Sequence, residues 1–566
     1  MKQRGSNENL KAIPLGGHGE IGKSCWIYEY KDEIVIVNFG MMLPPHDLTG
    51  VDLVIPNTKY LIENKDKIKC LILTSAHDDA CGGVFYLLEK LNIPKILGSK
   101  LAIECVKKQL HKETKMPEVE FLNPREEYKV TNNLTVQAIS NTSILPDTYG
   151  LYIKCEAGNV LYTSSFKIDQ TPPDKTLFDY YSYAQAGEDG VDILISDSTN
   201  IEALGYSQAE KSITKRFDEI FRDAAARVFI FGYANSLHKY QIVFNLAQKH
   251  KKRVFICGEY LNNKIQAAIK TGFIKVDNNL FLEEKDLKSV DDKELVVIVS
   301  GKYGNFLSAL IEIAKEEHPL IKLKSKDIVV ISANPPPGTA RLLAHTIDQL
   351  FVQKVQVIGG RGQGVHASGH AAQEEGKFIL TVAKPRAFVP SQGEERHLVI
   401  YGNLAENISI SPNDIHILKN GDILELREQV ARVANKVPAD SIYYNEAKRL
   451  DIDEVTMKER QALAIEGTIT IALLIDEGRN IIAGPEILAE ACSFAKGKDW
   501  RAFCLGTVDL VKEAIKQSVE RKETDLINIK GVVRDTVNKA VLELIAKRPL
   551  INVSIQEIKK AVTLKN

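Results

Sequence analysis

The sequence predicts a layered αβ unit with an α/β unit set into it, followed by a small α+β unit, and three observations predict this. First, short apolar runs at 11–15, 25–30, 33–37, 70–73, 95–97, 134–139, 151–155, 160–163 and 193–196 read as strands, with helical patterns at 84–91 and 101–110. Strand pairs followed by single helices suit layers rather than a regular βαβ wind. Second, from Ser207 amphipathic stretches (207–226 and 236–248) alternate with RVFIFG, RVFICG, LVVIVSG, DIVVISA and VQVIGG. Continuous apolar runs of this kind are the signature of a parallel sheet covered on both faces. Third, two strand runs at 468–475 and 479–483, joined by a turn-rich link, precede helices at 509–521 and 525–546.

The remaining segments follow in order. Residues 1–10 (MKQRGSNENL) are polar and read as a disordered tail without a leader sequence. Strand character resumes at 386–390 and continues through LVIYGNLAENISI, DIHILKNGDILEL and ARVANKVPAD. Residues 441–460 are charged and unpatterned, and read as a linker.

Composition narrows the function. A net charge of −1 leaves no whole-protein field to draw nucleic acid or membrane, so a polyanion site has to be a local groove. Basic clusters at Lys107, Lys108, Lys112 and Lys115, at Lys251 to Arg253, and at Lys322, Lys324 and Lys326 read as solvated faces. Eight cysteines are spread singly without a C-x-x-C pair, which argues for reduced thiols in a cytoplasm. No apolar run approaches the roughly 20 residues that span a bilayer.

One motif is a decoy. Gly17-His18-Gly19-Glu20-Ile21-Gly22 matches the dinucleotide fingerprint, whose function requires a helix to follow. Two strand-like runs follow instead, so the glycines read as a tight turn.

Leu71 to Val84 (LILTSAHDDACGGV) is the most informative stretch. An apolar strand enters a His/Asp-rich turn and then Gly82-Gly83 at a helix start. This is the frame T-H-x-H-x-D-H-x-G-G of the dinuclear site in metallo-β-lactamase-fold hydrolases, with Ser75 and Ala80 where two histidines belong. LGGHGEIGKS, GVDLVIPNTKYLIENKDKIK, SFKIDQTP, ISDSTN, HASGHA and ELIAKRPLINVSIQEI follow in the chain. With these blocks the chain resembles the ribonuclease J family over nearly its whole length. The resemblance implies a metallo-β-lactamase αββα sandwich (11–203 and 362–440), an inserted β-CASP α/β domain (204–361), the linker, and a C-terminal α+β assembly domain (461–566).

The family holds two zinc or manganese ions with seven ligands. Here those positions are Ser75, His77, Asp79, Ala80, Ser143, Ser165 and Gln392, so only His77 and Asp79 retain a donor of the family's type. A catalytic zinc wants three protein ligands and an open position, and its work is to lower the pKa of bound water from about 15.7 to about 7. The remainder supports at most one weakly held ion at His77 and Asp79; the alternative is an Asp–His hydrogen bond beside the Cys81 thiol. Asn38, where the family keeps an aspartate, removes a further anion. Metal ligands and charges are lost together, and the sequence predicts a pocket without metal.

Other motifs are retained. His366, Ala367, Ser368, Gly369 and His370 match the family's H-x-S-G-H, which the resemblance makes an RNA-phosphate site. In an extended segment His366, Ser368 and His370 project to one side, and backbone N–H groups of the next helix start would add to the pocket. His238 and Lys302 fall at further RNA-binding positions, and Asp197 at the family's acidic motif. Lys239 replaces an arginine, which weakens bidentate phosphate contact. The reading is therefore an RNA-processing ribonuclease J-type chain that is non-catalytic or weakly active. It would bind RNA and pair with an active ribonuclease J paralogue in an RNA-degrading hetero-oligomer, with self-association a further option. The alternatives are a weak metal-dependent 5′–3′ exo- or endoribonuclease, and a stand-alone RNA-binding module.

Overall fold

β-Branched and aromatic runs between residues 10 and 197 build two sheets that share one core. The computed structural model describes residues 8–45, 48, 50–360, 362–522, 525–545 and 549–558. It divides into two units, one holding residues up to 46 with 52–449 and the other 47–51 with 450 onward.

Among the described residues, the first unit has an eight-stranded sheet in the order Val430–Lys436, Asp422–Arg427, Leu10–Gly16, Cys25–Tyr30, Glu33–Val37, Ile68–Leu73, Lys95–Gly98, Glu118–Phe121. Facing it is a six-stranded sheet: Ala387–Ser391, Ile193–Asp197, Gly158–Tyr162, Thr148–Cys155, Thr135–Asn141, Glu127–Lys129. Alternate residues of both meet in one core, with Trp26, Tyr28, Val35, Val37 and Ile72 against Val136, Leu151, Val160, Tyr162 and Ile195. Period-two alternation makes this possible, because each strand sends its other side chains outward to a helix layer. Helices Val84–Lys90 and Lys100–Gln109 cover the first sheet, and Tyr180–Asp189, Gln373–Ala383 and Glu395–Asn407 the second. The result is the expected αββα sandwich. Two strands follow the Gly17 to Gly22 turn, with no helix between, as the tight-turn reading requires.

Ile193–Asp197 and Ala387–Ser391 are parallel neighbours, Ile193 opposite Ala387 and Asp197 opposite Ser391. Between them the chain leaves to build an all-parallel sheet, ordered Arg253–Cys257, Leu295–Val299, Val228–Phe231, Ile328–Ile331, Gln356–Gly359. Val228 and Ile230 face helices Leu237–Lys249 and Glu259–Lys270, while Phe229 and Phe231 face Phe306–Ala314 and Ala340–Val352. Both faces are dry, which is why these strands read as unbroken apolar runs.

In the second unit, Thr468–Asp476 pairs antiparallel with Ile481–Glu490 and parallel with Leu550–Ile558. Its buried face (Ile469, Ile471, Leu473, Ile475) meets Val511 and Ile515 of helix Gly497–Glu520 and Val533, Val537 and Val541 of helix Leu526–Ile545. Among the described residues no helix is long and apolar enough to cross a membrane.

Four expectations change. Residues read as strand in LVIYGNLAENISI lie largely in helix Glu395–Asn407, because Leu398, Tyr401, Gly402 and Ala405 share one buried helical face and Glu394 with His397 caps its start. The stretch 441–460 is structured rather than a plain linker. Strand Ile442–Asn445 pairs with Leu53–Ile55, and Asp453 accepts from the Thr456 N–H to start helix Glu454–Glu466. The helix expected at 207–226 is confined to Thr214–Asp223, since Ser207 and Glu210 are bonded to Glu375 and Lys167. The tail 1–10 falls mostly outside the described residues, but Leu10 opens the first strand and the Asn9 amide donates to Glu425 at 2.8 Å.

Segment 78–83 is seated on the turn after strand Glu33–Val37 by backbone bonds. Phe39 N donates to Ala80 O, Met41 N to Asp78 O, Ser24 N to Asp79 O and Gly83 N to Phe39 O, at 2.8–3.0 Å. The fit depends on Gly40, where a Cβ would stand 1.6 Å from the Asp79 carbonyl oxygen. Backbone cannot rotate away as a side chain can. Gly40→Ala is expected to destabilise the first unit by about 3 kcal/mol or more, measured by urea unfolding followed through tryptophan fluorescence.

Candidate functional site

Strands Thr135–Asn141, Gly158–Tyr162, Ile193–Asp197 and Ala387–Ser391 run in one direction, so their C-terminal ends share one rim of the six-stranded sheet. Ser143, Ser165, Asp197 and Gln392 follow those ends, and the end of strand Ile68–Leu73 brings loop 74–77 from the facing sheet. Loops at the C-terminal ends of strands are the usual place for a site in αβ folds.

The floor of the rim is an uncharged hydrogen-bond chain. The Asn38 carbonyl oxygen accepts from the Thr74 N–H and hydroxyl, both at 3.0 Å, and its amide donates to the Tyr162 hydroxyl at 3.3 Å. Since the Thr74 proton points to Asn38, the Ser164 hydroxyl 2.8 Å away is the donor of their bond. Asn38 holds a left-handed φ of 62°, a conformation asparagine tolerates better than most residues.

Two Asp–His pairs stand above this floor. His77 caps the short helix Asp78–Cys81, its Nδ1 being 3.3 Å from the Asp79 N–H and 3.4 Å from the Asp79 carboxylate. His370 Nδ1 lies 2.6 Å from Asp197, whose other oxygen accepts from the Thr199 hydroxyl at 2.6 Å. The two rings meet edge to face with centroids 6.2 Å apart. Burial alone would raise the Asp79 carboxyl, but His77, followed by His370 and Lys264, holds it below the ordinary range. Burial opposes charge on His370, yet Asp197 and then Asp79 raise it above the usual imidazole value. That pair therefore stabilises the fold below the ordinary histidine pKa and loses its contribution as pH rises through the raised one.

Burial alternates from Val365 to His370, with His366, Ser368 and His370 the less buried members, as an extended segment requires. Ser368 offers its carbonyl to the Lys167 ammonium at 3.0 Å and its hydroxyl to the His370 N–H at 3.2 Å. His366 is pushed down to about 3 by burial and by the charges of Lys239 and Lys167, so it is neutral. Its Nδ1 is buried and finds no hydrogen-bond partner among the described residues. Lys239 is brought down to about 8 by burial and donates to the Ser332 carbonyl.

The expected free N–H groups at the next helix start are engaged. Ala372 N donates to the Glu375 carboxylate at 2.8 Å, Gln373 N to Ala203 O and Glu374 N to Gly205 O. His238 Nδ1 donates to the Ser143 carbonyl at 3.0 Å, with Asp174 3.6 Å from Nε2. Lys302 stands apart, its ammonium 2.7 Å from Asp52 and 3.5 Å from Glu446. The basic clusters are exposed apart from Lys252, which is buried and donates to Lys293 O, and the half-buried Arg253.

Comparison with known proteins places this geometry. Residues 225–350 match the family model "Ribonuclease J, beta-CASP domain", and residues 455–558 match "Ribonuclease J C-terminal domain". The chain is 38% identical to Ribonuclease J of Synechocystis sp. over 489 residues, 86% of this chain and 76% of the relative. It is 31% identical to Ribonuclease J2 of Bacillus subtilis over 566 residues, 99% and 100% of the two chains. The chain belongs to the ribonuclease J family. Ribonuclease J 2 of Staphylococcus aureus is a further relative, 29% identical over 98% of this chain and 99% of its own. A crystal structure of a protein of unknown function from Enterococcus faecalis V583 shares the fold alone, with TM-score 0.52 and 13% identity over 74% of this chain and 100% of its own.

Seen as a ribonuclease J-type rim, the seven matched positions lie on loops and on the short helix Asp78–Cys81. Ser75, Ala80, Ser143, Ser165 and Gln392 are all buried. The Ser75 hydroxyl accepts from the His77 N–H at 3.3 Å, and the Ser143 hydroxyl donates to Gly369 O at 3.2 Å. Gln392 adopts φ 58°, donates its N–H to Gly17 O and packs its amide against Gly17. Among the described residues no group of three or more His, Cys, Asp or Glu side chains is arranged to hold a metal ion.

Sequence reasoning missed two groups. Lys167 lies in the SFKIDQTP block, but its three bonds (Gln208 O, Glu210, Ser368 O) join segments distant in sequence. The second is Lys264, which with Tyr260 is bonded to Asp78. Lys264 gives no local signal inside an amphipathic helix.

His18, brought down to about 4 by burial, and His366 are both neutral in the fold. Their folded pKa values lie below the unfolded value, so the stability they permit is full above about pH 6.5 and falls as pH drops toward 4. Each is expected to cost about 2 kcal/mol at pH 5 relative to pH 7.5. Urea unfolding at the two pH values checks this, with His18→Asn removing its share of the loss.

Proposed function

We propose that this ribonuclease J-type chain has lost the dinuclear metal centre and serves as a non-catalytic or weakly active RNA-binding subunit. Its partner would be an active ribonuclease J paralogue in a cytoplasmic RNA-degrading complex. The observation that carries the reading is the state of the rim. Five of the seven ligand positions hold buried serine, alanine or glutamine, and the other two, His77 and Asp79, bond one another. These residues do not fit a pair of divalent ions: the bridging position is the neutral Ser165, and two donors fall short of the three that a catalytic zinc wants. Asn38 fits the same reading, since its amide donates to Tyr162 where a carboxylate could not.

Support for RNA binding is the neighbourhood of His366, Ser368 and His370. A neutral imidazole with an unfilled Nδ1, the His370 imidazole whose pKa Asp197 raises, and the Lys239 ammonium favour a phosphate. A second reading, weak metal-dependent cleavage, draws on His77 and Asp79, the two positions that keep a donor of the family's type. Similarity over the whole length of Ribonuclease J2 of Bacillus subtilis fits either reading.

Two measurements separate them. Metal analysis of the purified chain is expected to find well under one ion per molecule, with no decay of a 5′-monophosphorylated RNA; stoichiometric metal with robust turnover sinks the proposal. In anisotropy titrations, His366→Ala and His370→Ala are each expected to weaken RNA binding about tenfold, the worth of one charge-assisted hydrogen bond. Pull-down from cells that also express an active paralogue tests the assembly.

A further inference from the structure

Lys167 and Lys264 of the first unit each bury an ammonium that is bonded to three oxygens, and the Lys264 set joins the rim loop to the inserted domain. Lys264 lies on helix Glu259–Lys270 of the inserted sheet, and its side chain is 2% exposed. Its ammonium is 2.5 Å from Asp78, 2.5 Å from the Asn235 side-chain oxygen and 3.1 Å from the Ala76 carbonyl. An ammonium has three N–H groups, and each is spent on a different residue. Tyr260, one turn earlier, donates to the same Asp78 oxygen at 2.6 Å and receives a bond from Gln109 at 2.9 Å.

The three oxygens belong to two walls. Ala76 and Asp78 flank His77 in the rim loop. Asn235 sits in the turn before helix Leu237–Lys249, whose first turn carries His238 and Lys239. Lys264 is on neither wall and is bonded to both. Burial lowers its pKa, but Asp78, followed by Cys105 and Cys81, more than offsets this and leaves it raised.

A buried ion pair is a poor device for stability alone, since well-packed apolar residues of similar volume serve as well or better. What it adds is direction, because the ammonium accepts only an arrangement that keeps all three oxygens within reach. We propose that Lys264 is a positioning residue that sets the spacing between the rim loop (75–81) and the turn at 234–239, and thereby shapes the crevice for single-stranded RNA. This inference rests on the RNA-binding reading given above. The rim loop is held to the sandwich by backbone bonds on one side, and Lys264 holds it to the inserted domain on the other.

The test uses the full chain with Lys264→Met and the double variant Asp78→Leu with Lys264→Met. Each is assayed for melting temperature, amide exchange and anisotropy with a fluorescein-labelled single-stranded oligouridylate. Lys264→Met leaves the Asp78 carboxylate uncompensated, and is expected to lower the melting temperature. It should also speed exchange at 75–81 and 234–239 together, with the sheet strands still protected. The double variant is expected to recover the melting temperature while binding RNA about tenfold more weakly than the unsubstituted chain.

Recovery of full RNA affinity in the double variant overturns the proposal, because the pair would then be structural and nothing more. Faster exchange in only one of the two segments overturns it as well. If Lys264→Met does not fold, the double variant decides through its affinity. If the unsubstituted chain binds no oligouridylate, the RNA-binding reading fails, and joint release of the two segments still decides whether Lys264 links them.

Discussion

Four backbone hydrogen bonds between segment 78–83 and the region 24–41 are the constraint on which the rim depends. They set the rim loop before any side chain takes part. Because the bonds run from main chain to main chain, the loop keeps its course whatever side chains positions 75, 77, 79 and 80 carry. The scaffold can therefore outlive the chemistry. Gly82 and Gly83 serve the same contact, since a Cβ at either would press on Met41 or on the Gly40 carbonyl. The motif's glycines are a packing requirement of this contact.

Charge inside the first unit is handled in a consistent way. Each deeply buried cation meets oxygen: Lys167 meets Glu210 and two carbonyls, Lys264 meets Asp78, an amide oxygen and a carbonyl, and Lys239 meets the Ser332 carbonyl. The asymmetry among them matters. Lys167 and Lys264 have carboxylate partners, whereas among the described residues Lys239 is hydrogen-bonded to a carbonyl alone, and burial, against the more distant Glu210, brings it down to about 8. A group in that condition gains from an arriving anion, which would add to the weak countercharge the fold provides.

Much of the fold was legible because it rests on local periodicity. The strands Cys25–Tyr30 and Glu33–Val37 follow from apolar runs hinged at two polar residues, and the parallel strands from runs buried on both faces. Helix Glu395–Asn407 was not legible in that way, since its apolar residues also fit a strand and the cap that settles it depends on a histidine side chain turning back to Glu394. A strand as short as Leu53–Ile55 depends on its partners, Met42 on one side and Ile442–Asn445 on the other. The rim divides along the same line. His366, Ser368 and His370 were readable as a motif in sequence, while Asp197 as partner of His370, and Lys264 as partner of Asp78, are products of tertiary contact.

The parallel pairing of Ile193–Asp197 with Ala387–Ser391 has a consequence for synthesis. The strand that closes the six-stranded sheet leaves the ribosome only after the whole inserted sheet, and the strand that covers Leu10–Gly16 comes later still, at Asp422–Arg427. Through most of translation both large sheets thus carry a bare apolar edge, of the kind that recruits foreign strands. The inserted sheet has no such debt to later residues, since its five strands lie between residues 228 and 359. The middle of the chain can settle first and hold the two ends of the sandwich near each other, so that the order of emergence, as much as the final contacts, governs how safely this protein is made.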